Sequence, residues 1–194
     1  MSITTSRFTL EPLTLDHKEA FFQFRSDPRT YKWTTSGKWT SMDQCTTWLN
    51  ERMARPKCDQ YVICLSPDSP LAKSLDASAL AEVPTLPNGN YFIGSLGFPR
   101  KDEIGYLVHP AVWGKGVAPE AIKAALTVYF DKYKDVMEAS AHTDEENGQS
   151  RRVVEKLGFK LTDYKGSYET SYLGKRTEVV YVIEREVVEG WSKN

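Results

Sequence analysis

A mixed α/β domain, with one strand–helix–strand crossover set among antiparallel hairpins, is predicted by three features of the 194-residue sequence. The first is the run from Glu103 to Thr143. It reads as a buried strand Glu103–Val108, a loop Trp113-Gly114-Lys115-Gly116-Val117-Ala118, a helix over 117–133 and a strand Val136–Thr143. Two strands of one sheet joined through a helix require a parallel, right-handed crossover. The second is a hairpin, Tyr91–Phe98 paired with Glu103–Val108 around a turn at Pro99–Asp102, which makes neighbouring strands antiparallel. The third is length: 194 residues without an internal repeat suit one domain, 1–194, with one core.

The elements follow in order. Arg7–Leu13 alternates apolar and polar residues as a strand does, and Asp16–Arg25 continues as a helix closed by Pro28. Tyr31–Thr40 is an aromatic, polar loop with Trp33 and Trp39 on either side of Gly37. Ser41 is an N-cap, and Gln44 completes a capping box for the helix Met42–Ala54. A short strand, Tyr61–Leu65, precedes Ser66–Asn90. That stretch is proline-rich and lacks sustained periodicity, so it reads as a long functional loop or an insertion. In helix 117–133 the apolar residues Ala118, Ala121, Ile122, Ala125, Leu126, Tyr129 and Tyr133 recur at helical spacing. Asn147 leads a helix to Leu157, closed by Gly158, and two long strands finish the chain.

Composition narrows the function classes. With 25 basic and 26 acidic residues and no basic run, nothing points to nucleic acid. Met1–Leu10 has no signal-peptide core, and no apolar span is long enough for a membrane helix. Cys45, Cys58 and Cys64 are odd in number and form no Cys-x-x-Cys pair, which suits unbridged thiols and a cytoplasmic location, with a nuclear one open.

The glycine loop carries the chemistry. A helix opening from such a loop leaves backbone N–H groups unpaired beside the positive end of its dipole, a site for phosphate. A P-loop needs Ser or Thr after Gly-Lys, but Gly116 follows Lys115. A dinucleotide fingerprint needs a third glycine where Pro119 stands. Gly114 through Ala118 are left to cradle some other phosphate-bearing ligand or to form a plain strand-to-helix turn, with Lys115 adding charge or solvated and Pro119 suited to the first helical turn.

The loop resembles the coenzyme A pyrophosphate loop of the GNAT N-acetyltransferases, Gln/Arg-x-x-Gly-x-Gly/Ala. Trp113 stands at the Gln/Arg position, as in the RimJ/RimL-type branch, and Gly116 and Ala118 are the small residues. ENGQSRRVVEKLGF (146–159) is similar to the family's Asn-x-x-Ser helix. Residues 6–28 resemble its opening strand and helix, and 174–191 its last strand. The resemblance implies the acyl-CoA N-acyltransferase fold: a central mixed, mostly antiparallel sheet flanked by helices, with the fourth and fifth strands splayed. Here those strands are Glu103–Val108 and Val136–Thr143.

What it implies for the site is specific. Acetyl-coenzyme A lies in the splay, with Gly114, Lys115, Gly116, Val117 and Ala118 on the pyrophosphate. The backbone of Tyr106, Leu107 and Val108 runs along the pantetheine arm, and the Asn147 side chain contacts it. Asn147 also suffices as a plain helix cap. Acyl transfer needs a neutral amine, a polarised thioester and a stabilised leaving thiolate. The Tyr that many members place seven residues after the Asn is here Val154, so Ser150 takes the acid role implied for the RimJ/RimL-type branch. The base is Glu103 or, alternatively, His142, with Glu138 weaker; a Glu103–Lys101 surface pair is the competing reading. Tyr31, Trp33 and Trp39 wall the acceptor site or cap the core. The resulting expectation is direct acetyl transfer to a primary amine, a peptide N-terminus or a small molecule, by a monomer or homodimer. The alternative is a non-catalytic coenzyme A-binding module.

Overall fold

The computed structural model describes residues 1–56, 59–170 and 172–191; Cys58 lies outside them. Strands β1 (Ile3–Thr4), β2 (Thr9–Pro12), β3 (Gln60–Leu65), β4 (Tyr91–Arg100), β5 (Glu103–Val108), β6 (Glu138–Asp144), β7 (Lys160–Thr170) and β8 (Gly174–Glu184) form one sheet. Its order is β1-β2-β3-β4-β5-β6-β8-β7. Every neighbouring pair is antiparallel except β5 and β6. The short β1 makes the splayed pair the fifth and sixth strands in this numbering.

Helices cover both faces because the strands are apolar on both. α6 (Val117–Lys132), α7 (Gly148–Lys156) and α8 (Arg185–Gly190) bury Ile122, Leu126, Tyr129, Val154 and Val188 against one face. α1 (Lys18–Ser26) and α3 (Met42–Ala54) bury Phe21, Phe24, Cys45 and Leu49 against Val62, Cys64 and Phe92 on the other.

The parting of β5 from β6 is built at one end. Tyr129 stacks on Phe98 with centroids 3.6 Å apart, and its hydroxyl donates to Asp102 Oδ1 at 3.1 Å. That holds the β4–β5 turn, where Asp102 sits at φ 62°, the left-handed region. The Asp102 carbonyl accepts from Ser140 N–H at 2.7 Å, and Glu103 opposite Ser140 is the single register pair between the two strands. From Ile104 onward the edge of β5 that faces away from β4 is open.

Several boundaries differ from expectation. Pro28 opens a helix rather than closing one: it is the first residue of α2 (Pro28–Tyr31), capped by Asp27 accepting from Arg29 N–H. The helix expected from Asp16 begins as a 3-10 turn, Leu15–His17. Ser41 caps α3, but Gln44 Oε1 takes the N–H of Thr40, one residue before the expected partner. The stretch 66–90 holds α4 (Pro70–Lys73) and α5 (Ala77–Ala81), started by Ser69 and Asp76, and buries Leu71, Ala72, Val83 and Leu86. The last strand stops at Glu184. Arg185 then turns back, and its guanidinium donates to the carbonyls of Phe130, Tyr133 and Val136, satisfying the C-terminus of α6. Among the described residues no helix is long and apolar enough to cross a membrane.

Candidate active site

The open edge of β5 is one wall of a cavity of about 440 Å³, within the range of small-molecule sites. Tyr106, Leu107 and Val108 form that wall, and Trp113, Gly114, Gly116, Val117 and Ala118 the end beside α6. Asn147, Ser150, Arg152 and Lys156 supply the α7 wall, and Arg29, Thr30 and Trp33 the mouth beside α2. Three separate stretches of sequence, within 29–33, 106–119 and 147–156, thus converge on one space.

The glycine loop is shaped as its sequence demands. Gly114 and Gly116 have φ of 70° and 74°, where a side chain is strained. Gly116 is the N-cap of α6 without a side-chain cap, so the first-turn N–H groups of Val117 and Ala118 have no intrahelical partner. A Cβ on Gly114 would meet nothing within 4 Å, and one on Gly116 would come 3.3 Å from Arg7 Nη2. Lys115 behaves differently: its N–H is spent on the Val112 carbonyl at 3.3 Å, and it is absent from the lining.

Around the loop, charges are arranged in pairs. Arg7 donates to Glu120 Oε2 and to the Lys115 carbonyl, both at 2.6 Å, tying the N-terminal segment to the loop. Burial opposes ionisation of Glu120, but hydrogen bonds from Thr5, Arg7 and Ser6 hold its carboxyl below the usual range. Its charge at the helix start is therefore offset by Arg7. The Trp113 indole donates to the Val108 carbonyl at 2.7 Å and fastens loop to strand. Arg29 at the mouth bonds Asp27 at 2.6 Å and Glu82, from the 66–90 stretch, at 2.7 Å.

On α7, Asn147 Oδ1 accepts from Ser150 N–H at 3.2 Å, the cap expected of it. Ser150 Oγ lies 2.8 Å from the hydroxyl of Tyr106. Burial pushes the Tyr106 phenol up to about 12, against the Ser150 hydrogen bond, which lowers it. Val154 is fully buried in the core.

The base candidates lie outside the cavity lining. Strand alternation turns Glu103 to the opposite side of β5 from Tyr106, where it pairs with Arg100 at 2.5 Å rather than with Lys101. His142 Nδ1 is buried 3.2 Å from Glu178 Oε2, without hydrogen-bond geometry. Glu138, at the start of β6, is exposed. Trp39 is buried beside Phe21 and Trp48, a core residue, whereas Trp33 reaches the cavity, with the Arg176 guanidinium 5.5 Å from its ring. Arg176 in turn holds buried Asp144 through two 2.8 Å hydrogen bonds.

The sequence reading passed over Arg29, Thr30, Gln149, Arg152, Val153 and Lys156. The last four recur at i, i+3, i+4, i+7, a helix-face signal that was present.

A family model described as "Acetyltransferase (GNAT) domain" matches residues 7–160. This chain belongs to the GNAT acetyltransferase family. Solved structures share the GNAT fold. The GNAT acetyltransferase from Bacillus anthracis aligns with a TM-score of 0.71 at 22% identity, covering 96% of this chain and 99% of that one. The acetyltransferase from Agrobacterium tumefaciens str. C58 gives 0.67 at 21%, covering 95% of each. A spermidine N-acetyltransferase from Vibrio cholerae, solved with CoA and spermine, gives 0.71 at 16%, covering 95% of this chain and 99% of that one.

Proposed function

We propose that this protein transfers the acetyl group of acetyl-coenzyme A directly to a primary amine, a peptide N-terminus or a small molecule, in a ternary complex. One observation carries the reading: a single cavity joins the open edge of β5 to the uncapped N-terminus of α6. The edge offers peptide groups to a pantetheine amide chain, and the helix end offers N–H groups and a positive dipole to a pyrophosphate. Gly114, Gly116, Val117 and Ala118 hold the phosphates. Lys115, outside the lining, adds its charge from the loop's outer side. Tyr106, Leu107, Val108 and Asn147 hold the arm. Arg152 and Lys156 supply positive charge along the same cleft, and the Vibrio cholerae neighbour solved with CoA supports the choice of ligand.

Ser150 donates a hydrogen bond to the departing sulfur. The amine proton leaves through water to Glu103 or to His142. Among the described cysteines neither is a nucleophile. Cys45 and Cys64 are buried away from the cavity, and burial pushes the Cys45 thiol up to about 11, so no acyl-enzyme is invoked. The Trp113 loop and the Asn147-x-x-Ser150 helix suit the RimJ/RimL-type branch. Buried Val154 favours a second reading, a non-catalytic coenzyme A-binding module. Tight binding without turnover on a broad amine panel would select it.

The deciding experiment is a thermal shift with acetyl-coenzyme A, coenzyme A, NAD and ATP in parallel. Ligand at a hundred times its Kd adds about 2.7 kcal/mol, or about 5–11 °C for a chain of this size. A shift of that order with the coenzyme A species alone supports the assignment. A larger one with NAD or ATP overturns it.

A further inference from the structure

Two hydroxyls that phosphate binding does not need meet on the cavity wall. Alternation along β5 turns Ile104 and Tyr106 toward the α6–α7 face, and the Tyr106 phenol crosses to the first turn of α7. There it lies 2.8 Å from Ser150 Oγ and 3.2 Å from the Ser150 carbonyl oxygen. The N–H of Ser150 is already taken by Asn147. The backbone of Ser150 is therefore held by the cap, and the phenol lies beside its side chain.

We propose that Tyr106 is a positioning residue for the leaving group: its O–H donates to Ser150 Oγ and leaves the Ser150 O–H directed at the thioester sulfur. This rests on the acetyl-transfer reading above. A serine hydroxyl has one proton and two lone pairs, so whichever partner donates within the pair decides where that proton points. A phenol is the more acidic hydroxyl and the better donor, so in this arrangement its one proton goes to Ser150 Oγ at 2.8 Å rather than to the Ser150 carbonyl at 3.2 Å. Without Tyr106, Ser150 at the third position of a helix can turn its proton onto a backbone carbonyl of its own chain. Val154, buried in the core, cannot supply a hydroxyl in its place.

The step balances without consuming either hydroxyl. The amine nitrogen attacks the carbonyl carbon, the C–N bond forms, the C–S bond breaks, and its electron pair stays on sulfur. The Ser150 O–H stabilises that charge. With its acidity weakened to about 12 by burial, Tyr106 is protonated at neutral pH and keeps its proton against a thiol of about 8.5. The proton shed by the amine restores neutrality.

The test reads the thiol of bound coenzyme A by its ultraviolet thiolate absorbance across pH, so it needs no acceptor. The expected result is a bound thiol more acidic in the wild type than in Tyr106→Phe or Ser150→Ala. Each variant raises its pKa by about one unit, the scale of one hydrogen bond to a charge. The double variant should rise no further than Ser150→Ala alone. Ser150→Thr, which keeps the hydroxyl, should retain the wild-type value and guards against a packing artefact. With a productive amine, Tyr106→Phe should lower kcat while leaving KM for acetyl-coenzyme A unchanged. A thiol that shifts in Ser150→Ala but not in Tyr106→Phe would overturn the proposal and leave the acetyl-transfer reading standing. Failure of the wild type to bind coenzyme A at all would overturn both, and binding alone reveals it.

Discussion

The two edges of β5 are treated in opposite ways. Toward β4 the strand is sealed, with Gly94 opposite Val108, Ser95 opposite Leu107, Leu96 opposite Tyr106 and Gly97 opposite Gly105. Toward β6 it is fastened only at Glu103 and Ser140. A sheet normally fills both edges, because an unpaired peptide group away from water is costly. Here the edge is left without a strand partner from Ile104 on, the Val108 carbonyl taken by the Trp113 indole, and it borders the glycine loop. The sealed edge gives the strand its stiffness, and on the proposed reading the open edge is where the coenzyme arm would complete it. Each can be broken separately.

The largest effect should come from the open side. Gly116→Trp places a bulky side chain at φ 74° where the first N–H groups of α6 emerge, beside Arg7. Coenzyme A stabilisation should vanish, from about 5–11 °C at a hundredfold excess over Kd to none. Far-ultraviolet circular dichroism should stay native. Retained affinity would remove the loop from phosphate binding.

Next is Ser150→Ala, expected to lower kcat by about 10- to 1,000-fold, the range for lost proton donors and oxyanion donors. Steady-state kinetics on a responsive amine measures it, and unchanged turnover would take Ser150 out of the mechanism. The helix should survive, because the cap to Asn147 uses the Ser150 backbone N–H.

The sealed side should answer in stability. A Cβ on Gly94 would stand 2.4 Å from the Leu107 carbonyl and 3.1 Å from the Val108 Cα, both backbone atoms with little room to yield. Gly94→Ala should cost about 1–3 kcal/mol, the scale of overpacking, read as a lower denaturant midpoint. If the β4–β5 seam also sets the open edge, coenzyme A affinity should fall with it. Lost stability with unchanged affinity would show the two edges to be independent.

What was legible in the sequence follows this division. The glycine loop, the crossover and the Asn147-led helix could be read because each is encoded by neighbours in sequence: positive-φ glycines, helical apolar spacing, an N-cap. The Tyr106–Ser150 pair could not, since the two hydroxyls are 44 residues apart and each also fits a plain structural role. Arg29 gains its place at the mouth from Glu82, 53 residues on, inside a segment whose prolines suggested only a connection. A proline misled once more, because a proline ends one helix and begins the next equally well. Pro28 did the second, with Asp27 supplying the cap. The C-terminal Arg185–Gly190 looked like strand, but its first residue is needed for the carbonyls ending α6, and that demand is tertiary.

The smallest effect lies where the sealed edge hands over to the glycine loop. His109 follows β5 and is buried; its N–H donates to Ile93 O, and its Nδ1 accepts from Ala111 N–H at 3.2 Å, starting the turn that leads to Trp113. Burial holds its pKa below the ordinary value, outweighing the attraction of Asp27. The unfolded chain therefore binds the proton more readily than the folded one. Stability is unaffected well above about 6.5, the pKa of a free histidine, and falls as pH drops through that value toward the folded pKa. His17 is shifted the same way, also by burial, so the decline has two contributors. His109→Asn keeps an acceptor for the Ala111 N–H and removes the titrating ring. Its stability should fall less steeply than that of the wild type between about pH 7 and 5, measured by denaturant midpoints. Coenzyme A binding should become less acid-sensitive in parallel, because protonated His109 has no lone pair left at Nδ1 to hold the turn. An unchanged slope would mean that the junction between strand and loop tolerates the charge, and that the acid response resides at His17, remote from the cleft.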